Sequence, residues 1–246
     1  MKSPLKKLML SLLSLTFIFL SANAQIDINS IKDKVNKATK GNTKLTNQEI
    51  IYGLKEALNV GSNNATASAS QLDGYYKNEI IKIPFPQEMK DVESKVRAIG
   101  FNKQVDEFVM AMNRAAETAA KEAAPIFLDA VKSMTINDGM NILKGEDDAA
   151  TQYLKANTNE ELYAKFKPIV AIAMQKVDVA KYWTPIASGY NKIPFTKEVN
   201  PDLEDYITLK ALDGLFYLVA QEELKIRKDP AARVTDVLKK VFGSKN

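Results

Sequence analysis

Between Ala211 and Ala220 the chain reads Ala-Leu-Asp-Gly-Leu-Phe-Tyr-Leu-Val-Ala. Only Asp213 and Gly214 interrupt a surface that is otherwise apolar all the way round a helix. A helix apolar on every side is buried on every side, so this stretch demands a shell of other helices. Asn200-Pro201 pairs an N-cap residue with proline at the first helical position, and the helix it opens should run to about Lys228. Apolar stripes at 105–119, 126–134 and 162–177 offer the shell. The expected fold is all-α, a multi-helix orthogonal bundle around a central helix at about 203–228. At most two short extended segments are expected, at about 80–85 and 191–196.

Local signals divide the shell into helices. Thr46 and Glu49 form a capping box that opens a stripe of Ile50, Ile51, Leu54, Ala57 and Leu58, and Gly61 suits the C′ position that would end it. Residues 62–72 are rich in Ser, Ala and Asn and predict a second, weak helix. Ile81-Lys82-Ile83-Pro84-Phe85 alternates like a short strand. A helix with Met89, Val92, Val96 and Ile99 should stop at Gly100. A long one follows with Val105, Phe108, Val109, Met112, Ala116 and Ala119, and another opens near Pro125. Two short helices are predicted at 136–144 and 147–156. A second capping box, Thr158 to Glu161, predicts a fresh start, with a kink near Lys167 from Pro168. Pro185 should disturb a helix between Val179 and Tyr190, and a terminal helix carries Val234, Val237, Leu238 and Val241. Lys-Ile-Pro-Phe occurs at 82–85 and again at 192–195. This echo reads either as a duplicated half, with two extended pieces side by side, or as coincidence.

The N-terminus predicts export. Lys2, Lys6 and Lys7 precede an apolar run from Leu8 to Leu20, too short for the roughly 20 residues that span a bilayer. Ala22-Asn23-Ala24 is a cleavage signal, so 1–24 reads as a signal peptide and the mature chain should begin at Gln25. Residues 25–45 read as a lead segment, 46–243 as one helical domain and 244–246 as a tail. No cysteine follows the leader to carry a lipid anchor, which leaves the periplasm as the expected compartment. Of 34 basic residues against 30 acidic ones, three lysines fall in the leader, which leaves 31 against 30 and a net charge of +1. Such a balance gives no electrostatic case for nucleic-acid binding.

The inventory also limits chemistry. The chain has no cysteine and no histidine. Thiolate nucleophiles, serine–histidine triads, imidazole bases and His- or Cys-ligated metals are therefore excluded. No catalytic residue, metal site or cofactor is expected.

Several segments resemble the bacterial exported family known as domain of unknown function 4197. They are Ile83-Pro84-Phe85-Pro86, Met112 to Glu117, Pro125-Ile126-Phe127 leading to Met134-Thr135-Ile136, and Asp147 to Thr151. Phe166 to Ile169, Lys210 to Tyr217, Ile226-Arg227, Asp229 to Arg233 and Leu238 to Gly243 complete the set. Val234 departs from the family's more usual threonine. The resemblance implies export and a helical fold, and carries no activity.

Candidate sites remain open between two readings each. Asp106, Asn113 and Glu117 lie along one line of a helix with Arg114 beside them. They form either a carboxylate–amide–guanidinium set for a polar ligand or a solvated face. Asp147 and Asp148 read as hard-cation ligands or as favoured acids at a helix N-terminus. Arg227, Arg233 and Asp236 could hold an anion, or form the ordinary pairs Glu223–Arg227 and Arg233–Asp236. Lys239 and Lys240 beside Val241 and Phe242 could touch a membrane. Trp183 with Tyr182 and Tyr190 could line a sugar site or belong to the core. The leading expectation is a non-catalytic envelope protein that binds an envelope macromolecule or a small apolar ligand between helices. The second is a hydrolase of cell-wall glycans using a carboxylate pair.

Overall fold

The computed structural model describes residues 46–176, 180–181, 183–195, 197–233 and 236–243. The expected leader and lead segment (1–45), the expected tail (244–246), Val177, Val179, Tyr182 and Val234 lie outside the described residues, as do the side chains of Val237, Leu238 and Lys240. In order come α1 (Asn47–Ser70), a 3-10 turn (Gln87–Met89), α2 (Lys90–Ala98), α3 (Asn102–Ala120), α4 (Ala123–Ser133) and α5 (Ile136–Lys144). They are followed by α6 (Ala149–Met174), α7 (Trp183–Tyr190), α8 (Leu203–Lys228), a second 3-10 turn (Pro230–Ala232) and α9 (Asp236–Gly243). Among the described residues there is no strand, and no helix is long and apolar enough to cross a membrane.

The apolar helix is central. Leu212, Leu215, Phe216 and Val219 of α8 are buried, and the Phe216 ring lies 5.8 Å from Phe127 of α4. Helices α1, α3 and α6 pack along α8. The stripes of α3, α4 and α6 were expected there, whereas α1 is an addition. Enclosure of α8 is incomplete, however. Leu209, Lys210, Asp213 and Tyr217 are exposed, because one stripe of the helix has no partner helix over it.

Two helices run straight through predicted breaks. Gly61 does not end α1; it sits where α1 crosses α8, and a Cβ there would lie 3.5 Å from Glu222 Cβ and 3.7 Å from Ile226 Cδ1. The small residues that suggested a weak separate helix, among them Ser62, Ala65, Thr66 and Ala69, are buried in that same α1. Thr158 does not begin a helix either. Its hydroxyl donates to Leu154 C=O at 2.7 Å from a buried mid-helix position of α6. Ala150, Leu154, Thr158, Leu162, Phe166, Val170 and Met174 are all buried, one every fourth residue. An unbroken ridge of this kind rewards one helix over two. Pro168 is tolerated inside it, on the exposed side, where water can take the carbonyl left unpaired.

Smaller shifts have local causes. The α8 N-cap is Asp202, whose side chain accepts the Asp205 N–H at 2.9 Å, so the helix begins beyond Asn200-Pro201. Pro185 falls in the first turn of α7 and disturbs nothing. Ile99, placed in the α2 stripe, is exposed.

Candidate functional site

Residues 71–86 link α1 to the first 3-10 turn with no helix or strand of their own. A segment like this must still satisfy its buried N–H and C=O groups, and side chains of α3 do so. Glu117 Oε1 accepts the N–H groups of Tyr75 and Tyr76, both at 3.1 Å. Its other oxygen takes Arg114 Nη1 at 2.6 Å, while Arg114 Nη2 reaches Asp73 at 2.6 Å. The Lys77 and Arg114 bonds hold the Asp73 carboxyl below its ordinary range, and the Glu117 bond raises Arg114 further. Asn113 accepts the Ile83 N–H at 2.8 Å and donates to Ile83 C=O at 2.8 Å. An amide presents its C=O and NH₂ side by side, as a neighbouring strand would. The alternating Ile81-Lys82-Ile83 thus meets one asparagine in place of a β-ladder.

Helix α8 holds the segment from the other side. The Tyr75 hydroxyl donates to Ala211 C=O at 2.6 Å, and burial pushes that phenol well above its usual range. Gly214 makes the approach possible. A Cβ there would stand 2.8 Å from Tyr75 Cε1 and 3.0 Å from Ile81 Cβ.

The outer side of this segment, residues 198–200 and the bare stripe of α8 enclose an open groove of about 760 Å³. Sites for small ligands span roughly 300–1,000 Å³. The floor is Ile81, Ile83, Pro84 and Val199, and one wall is Tyr206, Lys210, Asp213 and Tyr217, spaced i, i+4, i+7, i+11 along one helix face. Asn191 repeats the Asn113 device, accepting the Val199 N–H at 2.8 Å and donating to Val199 C=O at 2.7 Å. The Tyr206 hydroxyl donates to Pro84 C=O at 3.3 Å, and burial, with Glu88 adding to it, pushes it up to about 12. Lys210, Asp213, Tyr217, Glu79 and Glu198 have side chains that bond to no other described residue.

At the far end of α8 the polar groups are closed on one another. Glu223, buried, accepts the Ala150 N–H at 2.9 Å and the Thr151 N–H and hydroxyl, both at 2.8 Å, and so caps the start of α6. Arg227 meets Glu223 at 2.7 Å and donates to Ile142 C=O at 3.0 Å. Buried Arg233 donates to Ile226 C=O at 3.0 Å and Arg227 C=O at 2.8 Å, closing the end of α8. The cavity beside them measures only about 20 Å³.

The model of the family described as protein of unknown function, DUF4197, matches residues 44–243. The chain belongs to this family. Searches of curated proteins and of solved structures find no match. In this DUF4197 chain several of the resembling segments fall on the two constructions just described. Ile83 to Pro86, Met112 to Glu117 and Lys210 to Tyr217 build the pinned segment and groove, while Asp147 to Thr151 and Ile226 to Arg233 build the closed end.

The candidate residues are placed unevenly. Asn113, Arg114 and Glu117 come together, but Asn113 and Glu117 are buried, not solvated, because segment 73–83 covers them. Asp106, on the same line, is exposed and pairs with Arg97 at 2.8 Å. Arg227 and Arg233 meet each other without Asp236, which pairs with Lys239 at 3.5 Å. The expected Arg233–Asp236 pair gives way because Arg233 turns inward to the bare carbonyls of α8. Asp147 pairs with Lys228 at 2.5 Å, and Asp148 makes no capping bond, since Glu223 already occupies the α6 N-terminus. Trp183 belongs to the core, stacked 5.9 Å from Phe108 and 6.0 Å from Tyr206. Tyr190 is half-buried, its hydroxyl on Glu88 C=O. No group of three or more acids among the described residues could hold a metal ion.

Sequence reasoning missed Glu223, Asn191, Lys210, Asp213 and Tyr217 as functional positions. For the last three a signal was present: Lys210, Asp213 and the Tyr217 hydroxyl lie on one line, at i, i+3 and i+7, along the most apolar part of the helix.

Proposed function

We propose that the protein is a non-catalytic binding module of the bacterial envelope, taking its ligand in the groove between the 79–88 segment and α8. The single supporting observation is the contrast in polar groups. Lys210, Asp213 and Tyr217, with Glu79 and Glu198 beside them, bond to no other described residue and stand over an apolar floor, while Asn113, Glu117, Glu223, Arg227 and Arg233 bond within the fold. A groove with an apolar floor and a few polar groups suits a ligand of mixed polarity. The leader at 1–24 supports the envelope as the place where it binds. A glycan hydrolase would need one acid kept in a water-poor setting. Of the four acids that line the groove, Glu79, Glu198 and Asp213 are exposed and Glu88 is only half-buried, which favours binding over cleavage.

Site-specific photocross-linking in the expressing cell tests the reading. A photoreactive residue at position 217 should give a recurrent adduct that one at Asp129, exposed away from the groove, does not. Ile80→Arg, which fills the groove, should abolish it. An adduct equally strong from both positions would overturn the proposal. Mass spectrometry of the exported protein should find Gln25 or its pyroglutamate at the N-terminus; a retained Met1 would remove the envelope part.

A further inference from the structure

The two copies of Lys-Ile-Pro-Phe meet opposite environments. In the first, Ile83 is buried and the Phe85 ring lies 5.9 Å from Phe108 and 6.0 Å from Trp183. In the second, Ile193 is 51% exposed and Phe195 is fully exposed, at 107%. Phe195 also has φ 66°, the left-handed region that a bulky side chain enters only at a cost. An aromatic ring held in water on a strained turn calls for a use outside the fold. The base of the turn is fixed. Asn191 grips Val199 on one side, and the Tyr190 hydroxyl donates to Glu88 C=O on the other. Lys192 and Lys197 lie on either side of Phe195 in the sequence, both exposed; exposed Glu198 follows Lys197, which pairs with Glu88 at 4.0 Å.

We infer that the turn ending at Phe195, with Lys197 beyond it, is a membrane-surface anchor, with Phe195 and Ile193 entering the headgroup boundary of an anionic phospholipid leaflet and Lys192 and Lys197 meeting its phosphates. Aromatic and aliphatic side chains flanked by lysines match both layers of that boundary. A specific protein partner is the poorer fit. Such interfaces take about 800 Å² from each side, and a narrow turn with two outward apolar side chains offers far less. The basic end of α9 lacks the same feature, since Phe242 is half-buried against the core and Lys239 pairs with Asp236. One anchor of this size gives weak, reversible attachment. The inference does not depend on the groove.

Vesicle co-sedimentation of the exported protein tests it, after a mass measurement shows that residues 1–24 are gone. Vesicles of phosphatidylglycerol mixed with phosphatidylcholine should carry the protein down, and phosphatidylcholine alone should carry much less. Phe195→Ala should lower the partition coefficient about tenfold. The double variant Lys192→Glu, Lys197→Glu should remove the preference for the anionic vesicles. Phe195→Gly should also lose binding while melting at a higher temperature, since glycine relieves the left-handed strain; this shows that lost binding is not lost folding. Wild-type protein left in the supernatant with both vesicles overturns the inference, as does Phe195→Ala sedimenting like wild type. A concentration-dependent dimer broken by Phe195→Ala overturns it in favour of a second copy of the chain.

Discussion

Along α8, the stretch Tyr206–Tyr217 and the stretch Glu223–Arg227 both meet a chain segment that needs its backbone satisfied. At the later stretch the helix supplies the bonding groups itself. Glu223 and Arg227 turn inward, and each hydrogen bond they make ends on α5, α6 or each other. At the earlier stretch most of them come from α3, through Asn113 and Glu117, and α8 adds a missing Cβ, a carbonyl and the Tyr206 hydroxyl on Pro84 C=O. Lys210, Asp213 and Tyr217 are thereby left exposed. A region whose polar groups are satisfied from behind can present a face to a ligand; one that satisfies itself cannot.

Five substitutions and one titration would break or sharpen this contrast. The largest effect belongs to the closed end. Glu223→Ala strands Arg227 and uncaps α6, and should cost about 3–5 kcal/mol, as expected for removing one partner of a buried pair. A urea melt like that of wild type would show that the closed end carries no such burden. Asn113→Ala comes next, at about 2–4 kcal/mol, because each buried backbone group it strands at Ile83 carries about 1–3. Its melt should also expose the 71–86 segment to hydrogen exchange, which Glu223→Ala should not do first. Gly214→Ala should cost about 1–3 kcal/mol through overpacking against Tyr75 and Ile81.

Acid titration probes a link beside the groove. The Lys167 bond at 2.8 Å holds the Asp202 carboxyl below its ordinary value, and the same bond raises Lys167. A carboxyl depressed by folding stabilises the protein above its unfolded value of about 3.9, and that stability is lost as pH falls through the lower folded value. Asp202→Asn should therefore melt earlier than wild type at neutral pH and converge with it in acid. A difference that persists unchanged in strong acid would mean that the aspartate acts by packing alone. The smallest effects on stability should come from Lys210→Ala and Tyr217→Ala, within about 0.5 kcal/mol, while Lys210→Ala should remove the photo-adduct formed from position 217. If either destabilises as Asn113→Ala does, the outward stripe is part of the scaffold after all.

Much of the architecture could be read from periodicity. The stripes of α3, α4 and α8 are buried where apolar spacing placed them, and Thr46 caps α1 as its capping box required. Boundaries failed where a local signal competed with tertiary cover. Gly61 and Thr158 have the chemistry of helix ends, but their positions lie on continuous buried faces, and burial along those faces outweighs the local preference. The pinning residues were misread for another reason. Asn113 and Glu117 interrupt a run of Met112, Ala115, Ala116, Ala119 and Ala120, all buried. A polar residue so flanked is seldom a solvated one, and that hint was available. Its partner was not, since Ile83 lies 30 positions away and Tyr75 lies 42 away from Glu117, with no local pattern joining them.

Those separations have a kinetic consequence. The groove is held by bonds that span 30, 42, 122 and 136 positions of the chain, whereas α1 and α6 can each begin to wind from neighbouring residues. Loop-closure entropy must be met before such distant contacts form. The pinned segment should therefore dock after the helices have assembled, and be native only on the late side of the folding barrier. Substitutions at Asn113, Glu117 or Tyr75 would then accelerate unfolding and barely slow folding. The groove could open and close many times during the life of one folded molecule, without the bundle beneath it coming apart.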